Sequence, residues 1–411
     1  MAAEPERIVV INDASTARGG ATGLALLSVR LLRARGHAVT YLCGDDGDNA
    51  ELADLGVEVV ALGEARLLAR GRLEALRKGI WNAPARALLA GWIGRNDTPR
   101  TIYHLHGWAQ ILSPAIFPAL APVARRTVLH AHDFFLTCPN GVYMDYPAGE
   151  VCTRVPMSGA CIACNCDKRS RAQKAWRVVR HWPVSRRVPR GDWAAVAMIH
   201  PAMAEPLRRG GLPQERLAVL RNPAAATAAE RIPAERNRGI VYVGRVIEEK
   251  GTVDLARAAA GLDLPVTFVG EGAAADAIRA ACPHAVVTGW QDRAGMARHM
   301  AQARALAMPS RVPEPFGLVA AEAALSGLPV IVPDMALIAR DIVAARLGLA
   351  YDARQPDGLS GALAEIHRMP DDAVAGMSRR GAAGASGLAQ TEAAWADGLL
   401  ALYGRALAAA A

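Results

Sequence analysis

The sequence predicts an α/β protein with two domains, each built around a parallel β-sheet. The chain has 411 residues, which is too long for one ordinary hydrophobic core and suits two domains of about 200 residues each. Near its start, an apolar strand, a helical run and a second strand follow one another, and this βαβ order is typical of parallel sheets. A second strand, loop and helix pattern opens at residue 239. We therefore expect two similar α/β domains.

A segment near the middle of the chain is expected to link these domains. The stretch AAATAAERIPAERNR is rich in small and charged residues and contains a proline, so we place the linker at residues 223–237. The N-terminal domain then covers residues 1–222 and the C-terminal domain covers residues 238–389. An alanine-rich stretch predicts a last helix within residues 390–411.

The composition indicates a folded protein without a membrane span. Hydrophobic residues make up 52% of the chain and charged residues 21%, which supports well-buried cores rather than disorder. No uncharged apolar run approaches about 18 residues, and the acidic start MAAEPERIVVIND is not a secretory signal. We expect a cytoplasmic protein that makes peripheral contact with the inner membrane face.

The formal net charge of +8 predicts an acidic partner, such as a phosphate-bearing ligand or an anionic membrane. Residues 168–190 contain nine basic residues and no acidic residue, interleaved with Trp176 and Trp182. This run predicts a basic surface patch. Residues 65–92 are also basic and helical, broken at Pro84, and are either a lipid-facing surface or an ordinary solvated helix face.

The first domain contains a series of short apolar strands. They are predicted at residues 7–12, 38–42, 57–61, 101–105, 127–131, 193–199 and 217–220. Gly19 and Gly20 lie in the loop between the first strand and the first helix, where backbone amides can meet a ligand. A simple turn is the alternative interpretation of this glycine pair.

Histidines end two of these strands. His104 and His106 belong to the first of the two, and His130 and His132 to the second. Open α/β sheets bind ligands at the carboxyl ends of their strands, so His132 is a candidate site residue and His106 a weaker one. A structural role is the alternative.

Five of the seven cysteines lie between Cys138 and Cys166. Cys138, Cys152, Cys161 and Cys164 include one CxxC pair, which is the half-site of a zinc knuckle, although the other pair is widely spaced. A structural zinc ion and a loop of free, redox-sensitive thiols remain alternatives. In either case we expect residues 138–166 to form a cysteine-rich loop in the first domain.

The second domain opens with the strand GIVYV, followed by GRVIEEKG and a helix from Thr252. The loop is not a phosphate-binding P-loop, because the GK[ST] pattern is absent. Arg245 and Lys250 place two cations at the carboxyl end of a strand, where they can neutralise the charge of a departing diphosphate.

Residues 309–333, PSRVPEPFGLVAAEAALSGLPVIVP, predict a loop, a helix beginning near 316–318 and a buried strand. The unpaired amides of Phe316, Gly317 and Leu318 then point out of the helix start, where the helix dipole favours an anion. Gly317 allows a phosphate to approach the backbone. A diphosphate fits this position.

Two carboxylates flank this helix start. Glu314 precedes it, and Glu322 lies roughly 8 Å along the helix axis. Glu322 interrupts an apolar run, where an unpaired charge is costly, so we expect it to have a partner. A solvated loop acid and a surface helix acid are the alternative interpretations.

The pattern EPFGLVAAEA closely resembles the signature of glycosyltransferase family 4, the retaining GT-B enzymes. The elements GRVIEEKG and HD, and the first βαβ unit with its GG pair, resemble the same family. The resemblance implies two Rossmann-like domains with parallel sheets facing a central cleft, an acceptor-binding first domain, a donor-binding second domain and a last helix that crosses back to the first domain.

The resemblance also implies roles for individual residues. Glu314 would contact the donor sugar, Glu322 the ribose, and Gly317, Leu318 and Val319 the diphosphate. Arg245 and Lys250, after Gly244, would hold the diphosphate, and His132 would approach the transferred sugar. Gly270, Gly272 and Trp290 would line the base pocket, with plain turns as the alternative.

The sequence therefore predicts a retaining glycosyltransferase that moves a sugar from a nucleoside diphosphate sugar to a hydroxyl acceptor, in surface polysaccharide or glycolipid synthesis. The acceptor is expected to carry phosphates or a lipid, and no nucleic acid is expected as a partner. No cofactor is expected for catalysis, because Arg245 and Lys250 supply the positive charge. The alternatives are a GT-B nucleotide-sugar epimerase and a zinc-containing nucleic-acid-binding protein.

Overall fold

The structure is a computed structural model that describes residues 4–17, 19–384 and 387–411. These residues form two compact units. The first contains the chain up to Ala148, then Cys152–Arg221 and Glu392–Ala411, and the second contains Gly149–Val151 and Asn222–Thr391.

Helices and strands alternate through the first half of the chain. The strands are β1 (Arg7–Asn12), β2 (Ala38–Cys43), β3 (Glu58–Ala61), β4 (Thr101–Leu105), β5 (Thr127–Ala131), β6 (Met144–Asp145), β7 (Glu150–Val151), β8 (Ala195–Met198) and β9 (Leu217–Val219). The helices are α1 (Gly20–Ala34), α2 (Ala50–Asp54), α3 (Arg72–Ile80), α4 (Ala83–Asn96), α5 (Ile116–Leu120), α6 (Gly159–Ala163), α7 (Arg171–Arg187) and α8 (Ala204–Arg209).

The first unit is organised by a parallel sheet. Seven of the described strands form it, in the order β3-β2-β1-β4-β5-β8-β9. Strands β1, β4 and β5 are buried along nearly their whole length, which explains why they read as continuous apolar runs in the sequence. In the register between β4 and β5, His104 lies opposite Val128 and Leu105 opposite Leu129.

The second unit repeats this architecture. Its strands are β10 (Gly239–Val243), β11 (Val266–Val269), β12 (Val286–Val287), β13 (Ala303–Ala307), β14 (Val330–Pro333) and β15 (Gly348–Tyr351). Its helices are α9 (Thr252–Gly261), α10 (Ala275–Ala281), α11 (Arg293–Ala301), α12 (Leu318–Leu325), α13 (Ala339–Ala344), α14 (Gly358–Arg368) and α15 (Asp371–Ala382). Six of the strands described for this part of the chain form a parallel sheet in the order β12-β11-β10-β13-β14-β15.

The last helix, α16 (Glu392–Ala410), belongs to the first unit. Its residues Trp395 and Tyr403 are fully buried there. Residues 223–237, which were predicted as the linker, belong to the second unit. There the Ser326 hydroxyl accepts a hydrogen bond from the amide of Thr227, at 2.8 Å.

The basic run at residues 168–190 differs from the predicted surface patch. Most of it forms α7, and two of its cations, Lys174 and Arg180, are only 4% and 6% exposed. Arg180 donates hydrogen bonds to the carbonyls of Gly79 and Ala109, at 2.8 and 2.6 Å. The prediction of a surface patch is therefore wrong for these two residues, because their charges are satisfied inside the first unit.

The basic helical region at residues 65–92 also differs in two ways. The break comes before Pro84, because Asn82 caps α4 by accepting a hydrogen bond from the Ala85 amide, and proline is tolerated in the first helical turn. Two of its cations, Arg70 and Lys78, each form an ion pair with Glu64 at 2.6 Å. These pairs remove part of the positive charge that the sequence suggested.

Candidate active site

The start of α12 leaves backbone amides without an intrahelical acceptor, but these amides lie one to two residues after the predicted set of Phe316, Gly317 and Leu318. Gly317 caps the helix in the left-handed conformation, with φ of 80°. Ala321 donates the first intrahelical hydrogen bond, to the Gly317 carbonyl at 3.1 Å. The amides of Leu318, Val319 and Ala320 therefore have no acceptor within the helix, which makes this end suitable for an anion. Phe316, by contrast, is anchored in the core and only 2% exposed.

Glu314 and Lys250 form an ion pair beside this helix start. The Glu314 carboxylate also accepts a hydrogen bond from the Ser310 hydroxyl at 2.8 Å, and its backbone carbonyl accepts one from the Leu337 amide at 3.0 Å. Both side chains of the ion pair are mostly buried, at 15% exposure for Glu314 and 28% for Lys250. The Lys250 ammonium and the Glu314 carboxylate, which are both predicted to bind the sugar donor, are thus in direct contact.

The Tyr242 hydroxyl feels the charges of both Arg245 and Glu314. The Tyr242 hydroxyl donates a hydrogen bond to the Arg245 carbonyl at 2.7 Å. Burial raises the pKa of the Tyr242 hydroxyl, the Glu314 carboxylate raises this pKa further, and the Arg245 guanidinium opposes the shift. The loop after β10 therefore carries an exposed cation whose charge acts on the same hydroxyl as the Glu314 carboxylate.

Glu322 has the partner that its apolar surroundings required. Its side chain is 25% exposed, and a guanidinium nitrogen of Arg293 lies 4.0 Å from its carboxylate. Burial raises the pKa of Glu322, and the Arg293 charge opposes this shift. The sequence analysis missed Arg293, which lies at the start of α11. The sequence signal for such a partner was Glu322 itself, because an acid in an apolar run requires a cation nearby. Only the tertiary structure could identify that cation as Arg293.

The raised pKa of Glu322 predicts how the stability of the protein depends on pH. A carboxyl group whose pKa is raised on folding adds stability below its usual pKa of 4.5, and this contribution is lost as the pH rises through the folded-state value. We expect Glu322→Gln to stabilise the unliganded protein relative to wild type at neutral pH, with the difference disappearing below pH 4.5. Thermal unfolding from acid to neutral pH measures this, with exposed Glu365→Gln as the control. Parallel stability curves for Glu322→Gln and wild type would contradict the prediction.

Gly270 and Gly272 allow two loops to pass close to each other. A Cβ atom at Gly270 would lie 1.9 Å from the Gly244 carbonyl oxygen, and one at Gly272 would lie 2.2 Å from the Val246 carbonyl oxygen. Gly244, Gly270 and Gly272 all have positive φ. These glycines therefore fix the loops after β10 and β11, whatever contact they make with a ligand. Trp290, in the loop after β12, is 72% exposed and free to stack on a planar group.

In the first unit, Gly19 and Gly20 stand at the beginning of α1. Gly19 is the N-cap of the helix, and a Cβ atom there would meet nothing within 4 Å. Both residues are exposed, so their backbone is accessible from solvent. Their predicted role in donor binding stays a prediction.

His132 belongs to a group of four stacked histidines. Its Nε2 lies 2.9 Å from Nδ1 of His106, and its ring stacks on that of His130 with centroids 4.2 Å apart. Burial lowers the pKa of His132 to about 3, so its ring is neutral at physiological pH. A neutral ring can accept one hydrogen bond and donate another. Its role toward a transferred sugar stays a prediction.

The predicted zinc ligands have other partners in the structure. Cys138 donates a hydrogen bond to the Asn140 side chain at 3.0 Å, and Cys164 donates one to Asp145 at 3.2 Å. Lys174 lies between Cys161 and Cys166, with its ammonium 3.8 and 3.2 Å from the two sulfurs.

An ammonium group thus occupies the position where a metal cation would meet these two thiols. Within the described ranges, no cysteine belongs to a set of three potential ligands whose atoms lie within 4.8 Å of one another. The four predicted ligands are thus not gathered as a tetrahedral site requires, and both the structural zinc and the free thiols stay predictions.

The sequence of the second unit matches known glycosyltransferases. Residues 237–368 match the family model described as Glycosyl transferases group 1. The glycogen synthase of Mycobacterium tuberculosis is 31% identical over 172 residues, which are 39% of this chain and 40% of that protein. The chain thus matches well under half the length of this relative. Neither the epimerase nor the nucleic-acid-binding alternative is favoured by these matches.

Solved structures extend the similarity to nearly the whole chain. The sucrose-phosphate synthase of Thermosynechococcus elongatus superposes with a TM-score of 0.70 at 16% identity, covering 97% of this chain and 98% of that one. Anabaena HepE in complex with UDP-glucose gives a TM-score of 0.65 at 15% identity, covering 96% of this chain and 98% of that one. The fold of the chain is therefore the GT-B fold, with two Rossmann-like units, and the match to Glycosyl transferases group 1 lies in the second unit.

No helix in the described ranges is both long and apolar enough to span a membrane.

Proposed function

We propose that this protein is a retaining glycosyltransferase that moves a sugar from a nucleoside diphosphate sugar to a hydroxyl acceptor. The observation that carries the proposal is the Lys250–Glu314 ion pair beside the open amides of α12. Both features lie within the residues that match the glycosyltransferase family model.

In this proposal, different residues of the site would bind different parts of the donor. The amides of Leu318 and Val319 would bind the diphosphate together with Lys250 and Arg245, because an anion at a helix start gains from both the dipole and the free N–H groups. Glu314 would accept hydrogen bonds from hydroxyls of the sugar. Farther along the helix, Glu322 would accept hydrogen bonds from the ribose hydroxyls.

In the reaction, the bond between the sugar's anomeric carbon and the diphosphate oxygen breaks, and the bonding electrons leave with the diphosphate. The acceptor oxygen forms its bond to the same carbon on the same face, and its proton passes to an oxygen of the departing diphosphate. Lys250, Arg245 and the helix amides stabilise the negative charge that develops on the leaving group. Same-face attack leaves the anomeric configuration retained.

The uridine nucleotide is the donor class that we propose, since HepE is similar in fold and was solved with UDP-glucose. At ten times its dissociation constant, a ligand stabilises the folded state by about 1.4 kcal/mol. We expect UDP-sugars to raise the melting temperature by roughly 3–6 °C, given about 2–4 °C per kcal/mol for a unit of this size. Thermal unfolding with UDP-, GDP- and ADP-sugars measures this.

Glu322→Ala is the matched variant for the donor experiment, because it removes the proposed ribose contact without touching the amides of α12. Its shift with UDP-sugar should be smaller than that of wild type. Equal stabilisation by all three nucleotide sugars would argue against recognition of uridine, and stabilisation by none of them would contradict the proposed function.

We propose an acceptor that is held at a membrane surface, as in surface polysaccharide or glycolipid synthesis. Leu68 and Leu73, near and on α3, are 78% and 84% exposed, and Trp182 on α7 is 51% exposed. The Arg186 guanidinium stacks over the Trp182 ring at 4.6 Å. Exposed apolar side chains beside cations suit an anionic bilayer. Sedimentation with phosphatidylserine vesicles should carry the protein down, less so at high salt, and Leu73→Glu should weaken it. Equal recovery with neutral vesicles would contradict this.

A further inference from the structure

The four histidines of the first unit share one face of its sheet. Side chains two residues apart in a strand point to the same face, so His104 and His106 lie together, as do His130 and His132. Strands β4 and β5 are adjacent and parallel, with His104 opposite Val128 and Leu105 opposite Leu129, and His106 and His130 follow directly after this last pair. The sheet therefore gathers all four rings in one place, although they come from two separate segments of the sequence.

The rings form a compact group, in which the His104 and His106 rings are tilted by 43° and the His130 ring stacks on both. Their centroids are 4.0 Å apart for His104 and His106, 4.8 Å for His106 and His130, and 5.2 Å for His104 and His130. Ring nitrogens of these three residues lie within 4.8 Å of one another, and no other trio of potential metal ligands among the described side chains does so. All three residues are at most 4% exposed.

Some of these nitrogens have no hydrogen-bond partner. His104 Nδ1 lies 2.6 Å from the Tyr403 hydroxyl, and His104 Nε2 lies 3.1 Å from His130 Nδ1. In contrast, Nε2 of His106 and Nε2 of His130 are buried and meet no donor or acceptor in the described part of the chain. Nδ1 of His132 is orphaned as well, and since buried polar atoms usually have a partner, three such nitrogens in one cluster call for an explanation.

We propose that His104, His106 and His130 bind a divalent transition-metal ion of the zinc class. Neutral imidazole is a preferred ligand of late first-row divalent ions, and three imidazoles form a common ligand set for zinc. A metal ion would use the unpartnered lone pairs of His106 and His130, and it would replace His130 Nδ1 as the partner of Nε2 of His104. This site is separate from the cysteine-rich loop, and it does not depend on the proposed transferase activity.

Tyr403 would act on the metal through His104. Metal-binding histidines usually use their second nitrogen in a hydrogen bond that orients the ring, and the Tyr403 hydroxyl makes this contact with Nδ1 of His104. Tyr403 belongs to α16, which packs against the histidine-bearing strands in the same unit. The last helix of the chain would thereby support a site that is built from the middle of the first unit.

The test is metal binding by the full chain, purified without a polyhistidine tag and stripped with a chelator. After incubation with Zn²⁺ and removal of the excess, elemental analysis should find about one tightly bound ion per chain. Cobalt substitution identifies the ligands, because thiolate ligation adds intense near-ultraviolet charge-transfer bands that nitrogen ligation lacks. We expect the visible bands of Co²⁺ without the thiolate bands, and a higher melting temperature with Zn²⁺ than without it.

Three variants and one control sharpen the test. His104→Gln combined with His130→Gln should abolish tight binding, whereas Cys161→Ser combined with Cys164→Ser should leave it intact. Tyr403→Phe removes only the orienting hydroxyl and should weaken Zn²⁺ affinity about 10–100-fold. His299→Gln, far along the chain in the second unit, is the control and should bind normally.

Two results would overturn the proposal. One is wild-type protein that keeps no zinc and shows no thermal shift with the metal. The other is binding that the cysteine variant loses and that carries thiolate bands with cobalt. The wild-type measurements decide the question even if the double histidine variant fails to fold.

Discussion

Replacing Lys250 with glutamine is expected to lower kcat about 100- to 1000-fold, which is the usual effect of removing one group that stabilises a developing anion. In the structure, the Lys250 ammonium pairs with Glu314 beside the amides of α12. In the proposed transfer, negative charge would move onto the diphosphate next to this ammonium. Glutamine keeps much of the side chain's length and polarity but not its charge, so the loss would fall mainly on the chemical step.

The measurement is steady-state transfer with the best donor from the thermal screen. Arg279→Gln is the matched control, because it also removes one positive charge from the second unit, from a side chain that is 57% exposed and pairs with Asp276 on the same helix. The control should stay within about twofold of wild type. A Lys250→Gln enzyme as active as the control would mean that Lys250 does not stabilise the leaving group.

Replacing Gly251 with alanine is expected to destabilise the second unit by about 3 kcal/mol, from left-handed strain and a backbone collision together. Gly251 has φ of 68°, and a Cβ atom there would lie 1.8 Å from the Pro309 carbonyl oxygen. The substitution would therefore push apart the segment that carries Lys250 and the segment that leads to Glu314. The melting temperature should fall by roughly 6–12 °C.

Gly261→Ala is the control for this experiment. Gly261 lies at the opposite end of α9, with nothing within 4 Å of a Cβ atom and no positive φ. Alanine there should leave stability unchanged or raise it slightly, because it restricts the unfolded chain. Calorimetric unfolding of the two variants makes the comparison, and equal melting temperatures would show that the Gly251 contact is not needed.

Much of the fold could be predicted because its signals are local. The strands β1, β4, β5, β10 and β14 are apolar runs of ordinary strand length, because they lie in parallel sheets that are buried on both faces. The start of α12 could be predicted because Gly317 marks the beginning of a helix. The alanines that follow it indicate a helix face that is buried. The candidate site in the second unit follows from these same local signals.

The remaining features depend on contacts between distant segments. The short helices α10, α11 and α15 were missed, and with α11 the Arg293 partner of Glu322. The burial of Lys174 and Arg180 could not be predicted either, since their partners are thiols and backbone carbonyls that the sequence does not place nearby. The histidine stack depends on the register of β4 and β5, which no short motif encodes.

The contact between Lys250 and Glu314 also affects which anions can compete for the helix start. Because the carboxylate already balances the ammonium, a small anion that takes Lys250 leaves Glu314 with the Ser310 hydroxyl but without this cation, in a mostly buried position. Inorganic phosphate offers no hydroxyl-bearing ring to replace that lost contact. The proposed sugar nucleotide would satisfy both side chains at once, so the resting protein would discriminate against the abundant phosphate of a cell before any reaction begins.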